Sequence, residues 1–194
     1  MNPLKRLTLS VLLFVSLTGC LISCKRISPS KPAEQSAVPL GGSASPAPCS
    51  IPFTGNFVND TAGALSDDSE NKLEQKLVAL KTAGKIDFAV VTLKTTGEQP
   101  IADYSLALAR CWSIGDKNPD GSGMLMLLAV DDRKWHMQIS RSMEKVLSNE
   151  EIQDAGSQMT PLLRDQNYPD GIDKFVDVTT NIIAPRKKFS ISTP

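Results

Sequence analysis

Residues 124–139 read Met124-Leu-Met-Leu-Leu-Ala-Val130-Asp131-Asp132-Arg133-Lys134-Trp135-His136-Met137-Gln-Ile139, and this stretch decides the fold. Its first seven residues are almost wholly apolar and bounded by turn formers, the pattern of a central strand buried on both faces. Asp131, Asp132 and Arg133 interrupt the run. Trp135, Met137 and Ile139 then alternate with polar residues, as an antiparallel partner in a β-hairpin does. Upstream, residues 66–82 open with Asp67, Asp68 and Glu70 and carry Leu73, Leu77 and Leu80 on one face, which predicts an amphipathic helix ended by Gly84. Ile86, Phe88, Val90, Val91 and Leu93 form a strand-length run, and Ile101, Tyr104, Leu108 and Trp112 mark a second helix closing at Gly115. Downstream, Ser148 and Glu151 make a capping box for a helix with Ile152, Ala155 and Met159. Pro161 starts a new turn bearing Leu162 and Leu163, and a last helix spans about residues 170–183 with Ile172, Phe175, Val176, Thr179 and Ile183 on its core face. Beyond Pro185, the basic residues Arg186, Lys187 and Lys188 read as a frayed tail. These elements specify an α/β domain with a mixed sheet covered on both faces.

The chain has 194 residues, with 21 basic and 21 acidic side chains and 5% aromatics. One domain plus extensions fits that length, and neither a net positive field nor a base-stacking surface is available, which argues against nucleic acid as a partner.

The N-terminus carries the most specific signal. Lys5 and Arg6 precede an apolar run from Leu7 to Leu17, of secretory length and too short to span a bilayer comfortably. The run ends in Leu17-Thr18-Gly19-Cys20, which resembles the lipobox of bacterial lipoproteins, with Cys20 as the acylated residue. A plain cleaved signal peptide is the competing reading, and Leu21-Ile22-Ser23-Cys24 is a fallback box. Several acyl chains on one cysteine give an effectively permanent anchor. The expected location is the cell envelope, outside the cytoplasm, at a periplasmic or outer-membrane face. Residues 21–50 hold Pro29, Pro32, Pro39, Pro46 and Pro48 among Ser, Ala, Gly and Lys, a composition that cannot offset its ordering entropy and serves as a tether. The folded domain is expected over residues 52–185, followed by a flexible tail. An oxidising compartment permits disulfides: Cys24 and Cys49 either pair or stay free, and Cys111 reads as a small core residue beside Trp112.

Chemistry could reside in two loops. Asp116-Lys-Asn118-Pro-Asp120-Gly121-Ser122 repeats the front half of a calcium loop, in which alternating oxygens wrap a hard cation, but the twelfth position is Leu127 where a bidentate Glu belongs. An ordinary turn is the alternative. A cation there would draw further ligands from Asp131 and Asp132. Those residues lie at the other end of a seven-residue strand, about 23 Å away. His136, the only histidine, has no Ser-His-Asp spacing and reads as a surface imidazole. Metal-activated water held by carboxylates is the remaining hydrolytic route.

Four motifs in order resemble the TPM domain family, found in bacterial envelope proteins and in a thylakoid-lumen protein reported as an acid phosphatase. They are Val58-Asn59-Asp60-Thr61-Ala62-Gly63-Ala64-Leu65-Ser66; Trp112-Ser113-Ile114-Gly115-Asp116-Lys117 with Asp120-Gly121-Ser122-Gly123-Met124-Leu125; Ala129-Val130-Asp131-Asp132-Arg133-Lys134; and Pro161-Leu162-Leu163-Arg164 with Tyr168, Gly171 and Ile172. The resemblance implies a three-layer α/β/α sandwich with a small mixed central sheet and an acidic pocket able to bind Ca2+ or Mg2+. By position, Asp60, Asp120, Asp131 and Asp132 match the family's acidic residues. With Asp116 and Asn118 they make the candidate metal ligands, and Asp131, Asp132 and Arg133 the candidate catalytic group. Ser140-Arg141-Ser142-Met143-Glu144 stands where many members have G-x-G-L-E, so side chains would narrow the pocket or stiffen its rim. Two functions follow as expectations: a tethered module that binds an envelope protein partner or maintains an envelope complex, and a weak metal-dependent acid phosphatase.

Overall fold

The computed structural model describes residues 47–190; Cys20, Cys24 and most of the tether lie outside the described residues. Among the described residues, a 3-10 turn at Pro48–Ser50 is followed by β1 (Val58–Asp60), α1 (Asp67–Gly84), β2 (Asp87–Leu93), α2 (Ile101–Cys111), β3 (Gly123–Ala129), β4 (Lys134–Ile139), a second 3-10 turn at Met143–Lys145, α3 (Asn149–Arg164) and α4 (Tyr168–Lys187). The sheet order is β1-β2-β3-β4. β1, β2 and β3 are parallel, and β4 returns antiparallel with Met126 opposite Met137.

Strand alternation sorts the core into two layers. Phe88, Val90, Met124, Met126 and Leu128 pack with Leu77 of α1, Met159 of α3 and Phe175 of α4. Ala89, Val91, Leu93, Leu125 and Leu127 pack on the other face with Tyr104 and Leu108 of α2 and with Trp112. The result is the three-layer α/β/α sandwich. Every residue of β3 is buried, as an apolar run in a doubly covered sheet must be. The β1→β2 and β2→β3 crossovers step in the same direction, yet α1 and α2 cover opposite faces. One of the two is therefore left-handed, against the strong right-handed rule for parallel crossovers.

The helix caps follow from local chemistry. Ser66 Oγ accepts the Ser69 N–H at 3.3 Å, and Ser148 and Glu151 form the reciprocal capping box of α3.

Several expectations are corrected. β1 was not anticipated, because three residues, two of them polar, carry no strand period. Gly84 is the last helical residue of α1 and Lys85 takes the left-handed cap at φ 54°. Gly84 is small for another reason: a Cβ there would lie 2.8 Å from the Phe189 ring. Pro161 is exposed inside α3, and the helix continues through it to Arg164. The basic end is not frayed over its described part. Arg186 forks onto both oxygens of Glu151, at 2.8 and 2.6 Å, and Lys187 reaches Asp120 at 2.5 Å. Cys111 is exposed, not a core residue, and forms a disulfide with Cys49 across a Cα separation of 5.6 Å. The docked chain therefore begins before Pro52. Ile51 is buried, its carbonyl accepts the Trp112 indole N–H at 2.9 Å, and Phe53 lies against the Trp112 ring.

Candidate functional site

The parallel strands end at Asp60, Leu93 and Ala129, which places the β1–α1 loop, the loop after β2 and the β3–β4 hairpin on one edge of the sheet. Chains leaving β1 and β2 diverge to opposite faces there, the arrangement that opens a crevice outside the carboxyl ends of strands. Asp60, Asp131, Asp132 and Arg133 all belong to this edge.

Each carboxylate has a distinct environment. Asp60 accepts the Thr92 hydroxyl on Oδ1 and the Leu65 N–H on Oδ2 at 2.7 Å, fastening the β1–α1 loop to β2. Its charge also reaches α1: burial first, then Asp60 and Asp67, push the Glu70 carboxyl above the usual carboxylate range. Asp132 accepts the Thr95 hydroxyl at 2.7 Å, the Thr96 N–H at 2.9 Å and the Thr96 hydroxyl at 3.2 Å. Burial alone would raise its pKa, but these donors, with Lys134 nearby, hold it below the usual value. Asp131 is exposed and donates its backbone N–H to the Lys94 carbonyl at 2.8 Å. Arg133 is exposed, with φ 53°.

The calcium-like loop lies at the opposite edge, where β2 and β3 begin. Its oxygens already hold cations, supplied by lysines. Lys81 of α1 places Nζ 2.5 Å from both Asn118 Oδ1 and Asp87 Oδ1, and Asp87 Oδ2 accepts the Gly115 N–H. Lys187 of α4 lies 2.5 Å from Asp120 Oδ2 and 2.9 Å from Ser122 Oγ. The Lys187 ammonium, together with the Ser122 donors, lowers the Asp120 carboxyl to about 2. Asp116 is exposed, and its backbone N–H caps the Ser113 carbonyl. The loop packs against the strand through two glycines, since a Cβ on Gly123 would meet the Ile114 carbonyl at 2.6 Å. One cation cannot gather Asp120 with Asp131 and Asp132, because all of β3 separates them.

Ser140 and Ser142, where the resemblance led us to expect glycines, also lie at this second edge. Ser140 Oγ accepts the Gly123 N–H at 3.1 Å and hydrogen-bonds Ser142, stiffening the start of β3 and leaving the carboxylate edge untouched. His136 is half-buried, and burial depresses its pKa. Thr92, Thr95, Thr96, Lys81 and Lys187 are the partners that sequence reading missed, since none belongs to a local motif with the acid it binds.

Metal fit follows from this inventory. Asp60 is engaged by Thr92 of β2 and the Leu65 N–H, Asp132 by Thr95 and Thr96, and among the described residues no group of three or more His, Cys, Asp or Glu side chains is placed to hold a metal ion. The arrangement does not fit a preformed carboxylate cage.

A mixed four-stranded sheet between α1, α3 and α4 on one face and α2 on the other, with acids at the carboxyl edge, defines an α/β/α sandwich of TPM type. The TPM domain profile matches residues 58–182, and the chain belongs to the TPM domain family. Among solved structures, the N-terminal domain of a protein from P. gingivalis is 25% identical with a TM-score of 0.68, covering 75% of this chain and 96% of that one. The BA42 protein of Bizionia argentinensis is 15% identical with a TM-score of 0.57, covering 68% and 88%. The N-terminal domain of the cg2496 protein of Corynebacterium glutamicum is 14% identical with a TM-score of 0.53, covering 68% and 82%. The last two likenesses concern the fold alone. No curated protein matches this chain.

Proposed function

We propose that this TPM domain is a membrane-anchored, extracytoplasmic module of the cell envelope, tethered through Cys20, which binds a protein partner or maintains an envelope complex. The observation that supports placement outside the cytoplasm is the Cys49–Cys111 disulfide. Disulfides persist in oxidising compartments and are rare in the cytosol, so this bond agrees with the secretory segment and lipobox. It also clips the chain to α2 two residues before the buried Ile51. No helix among the described residues is long and apolar enough to cross a membrane. Fractionation of cells expressing the full chain tests this: wild type sediments with membranes and Cys20→Ala becomes soluble. Soluble wild type would overturn the anchor. The partner is sought by crosslinking in intact cells, and a partner specific to this domain is lost when the domain is replaced by an unrelated folded one.

The alternative reading, a metal-dependent acid phosphatase, draws on the acids at the carboxyl edge. It requires Asp132 to leave the three donors of residues 95 and 96. Turnover of a phosphomonoester that depends on Ca2+ or Mg2+ and disappears in Asp132→Asn would favour it; equal rates in wild type and Asp132→Asn would dismiss it.

A further inference from the structure

The two edges of the sheet differ. At one, β1 is three residues long, and its outward Val58 N–H is taken by the Glu74 carboxylate at 2.8 Å. At the other, β4 is six residues long with a continuous register, contains no proline, and pairs with β3 alone. The Ser140 N–H on the Gly123 carbonyl sets the phase of that ladder. Alternate residues of an antiparallel strand turn their backbone groups to the partner, so Lys134, His136 and Gln138 face β3 while the N–H and C=O groups of Trp135, Met137 and Ile139 point outward. Of these outward groups, only the Ile139 carbonyl has a hydrogen bond among the described residues, from the Gln138 side chain at 3.1 Å. An open row of this kind is a template for another strand.

The groove beside that edge sets what can lie along it. β4 and α3 run side by side with two cavities between them, one of about 260 Å3 against His136, Met137 and Gln153, the other of about 510 Å3 against Arg133, Lys134, Arg164 and Leu128. Trp135 lines both, and no acidic side chain lines either. Lys134 acts on Asp132, but Arg133 and Arg164 make no side-chain hydrogen bond or ion pair with a described residue. Other cations are engaged: Lys76 on Asp173, Lys81 on Asp87, Arg186 on Glu151 and Lys187 on Asp120. The groove therefore complements negative charge. The tether does not supply it, since residues 21–46 carry Lys25, Arg26 and Lys31 against Glu34. Nor does a second copy: antiparallel pairing of β4 with itself about Met137 would set Arg133 opposite the Arg141 of that copy, a like-charge contact.

We propose that β4 is the docking edge for an extended acidic segment of the protein partner, which adds to the sheet as a further strand and places carboxylate side chains against Arg133 and Arg164 and apolar ones against Trp135. In strand addition the main-chain hydrogen bonds supply affinity and the pockets beside them select the sequence. Guanidiniums select carboxylates through paired donors. The inference rests on the partner-binding reading above and names the chemistry of that partner. A partner crosslinked in cells to another face of the domain would leave that reading standing and remove this one.

The test uses the full chain in a non-ionic detergent and two labelled synthetic peptides with blocked ends, each about eight residues long, one alternating valine with glutamate and the other valine with lysine. By fluorescence anisotropy the glutamate peptide should bind saturably and at least about tenfold more tightly than the lysine peptide. Arg133→Gln and Arg164→Gln should each weaken it about fivefold to tenfold, whereas Lys72→Gln, exposed on α1, should change it less than about twofold. Residue-resolved hydrogen exchange reads the pairing itself: at saturation the Trp135, Met137 and Ile139 amides should slow about tenfold or more, while those of Lys134, His136 and Gln138 keep their rates. Binding without protection of the outward amides would reduce the effect to charge attraction and overturn strand addition. Equal binding of the two peptides, or none up to about 1 mM, would overturn the acidic partner. A chain that sediments as a dimer with the outward amides already protected would assign the edge to a second copy, and tighter peptide binding after deletion of residues 25–46 would assign it to the tether; either result overturns the proposal.

Discussion

Gln166 and Gly156 put opposite demands on their backbones, and both are tested by single substitutions. Gln166→Gly removes a side chain from a left-handed position at the end of α3 and should raise unfolding free energy by about 0.5–1 kcal/mol, measured in urea. Gly156→Ala drives a methyl into the Trp135 ring and should cost about 1–3 kcal/mol, with a shift in tryptophan emission as the indole is displaced. Glu70 supplies a pH-dependent case. Its carboxyl is raised in the folded protein, so the native state holds the proton more tightly than the unfolded chain, and stability falls as pH rises from 4.5 through the folded value. Glu70→Gln should therefore stabilise at pH 7 by a few tenths of a kcal/mol, roughly, and have no effect well below pH 4.5. Asp120 runs the other way. Lowered to about 2 by Lys187, it contributes stability above its unfolded value of 3.8, and that contribution is lost as pH falls through about 2. Its side chain is 51% exposed, so the loss in Asp120→Asn at neutral pH should stay under about 1 kcal/mol. None of these partnerships was legible in the sequence: Lys187 lies 67 residues from Asp120, and an oxygen-rich turn looks the same whether lysine or calcium fills it.

At the level of elements, strong periodicity carried the reading. β3, β4 and the capped starts of α1 and α3 follow directly from apolar runs, alternation and Ser caps. β1 and the far end of α4 did not, because their places are fixed by tertiary contacts: β1 is held by pairing with Val90, Val91 and Thr92, and α4 is prolonged by Arg186 on Glu151 and Phe189 on Gly84. Cys111 was misplaced for a related reason. A cysteine next to a buried tryptophan reads as apolar filling unless its partner is known, and that partner is 62 residues earlier. The bond clips the segment bearing Ile51 and Phe53 onto α2, so Cys111→Ser should cost about 2–4 kcal/mol in denaturant melts under oxidising conditions. Wild type in reductant should show the same loss, and the variant should be indifferent to reductant.

Across the whole molecule, the sheet separates two ends with different work. At the starting edge, Lys81 and Lys187 bind the oxygens of the loop over residues 116–122 and lock α1 and α4 to it. At the carboxyl edge, Asp60 and Asp132 order their loops while Arg133, Lys134 and Arg164 line an open cavity. The three-layer class was legible from the order of strands and helices, but this division was not, because the sequence shows which residues are charged and not which edge they reach. The proposed placement of the molecule in the cell rests on the joint reading of the N-terminal segment and the disulfide. The most direct test is thiol-blocking gel analysis of the full chain in membrane and soluble fractions, comparing wild type, Cys20→Ala and Cys111→Ser. A membrane-bound wild type with Cys49 and Cys111 protected from the blocker until reduction, released by Cys20→Ala, is the predicted result; a soluble wild type with both thiols immediately blocked would contradict it.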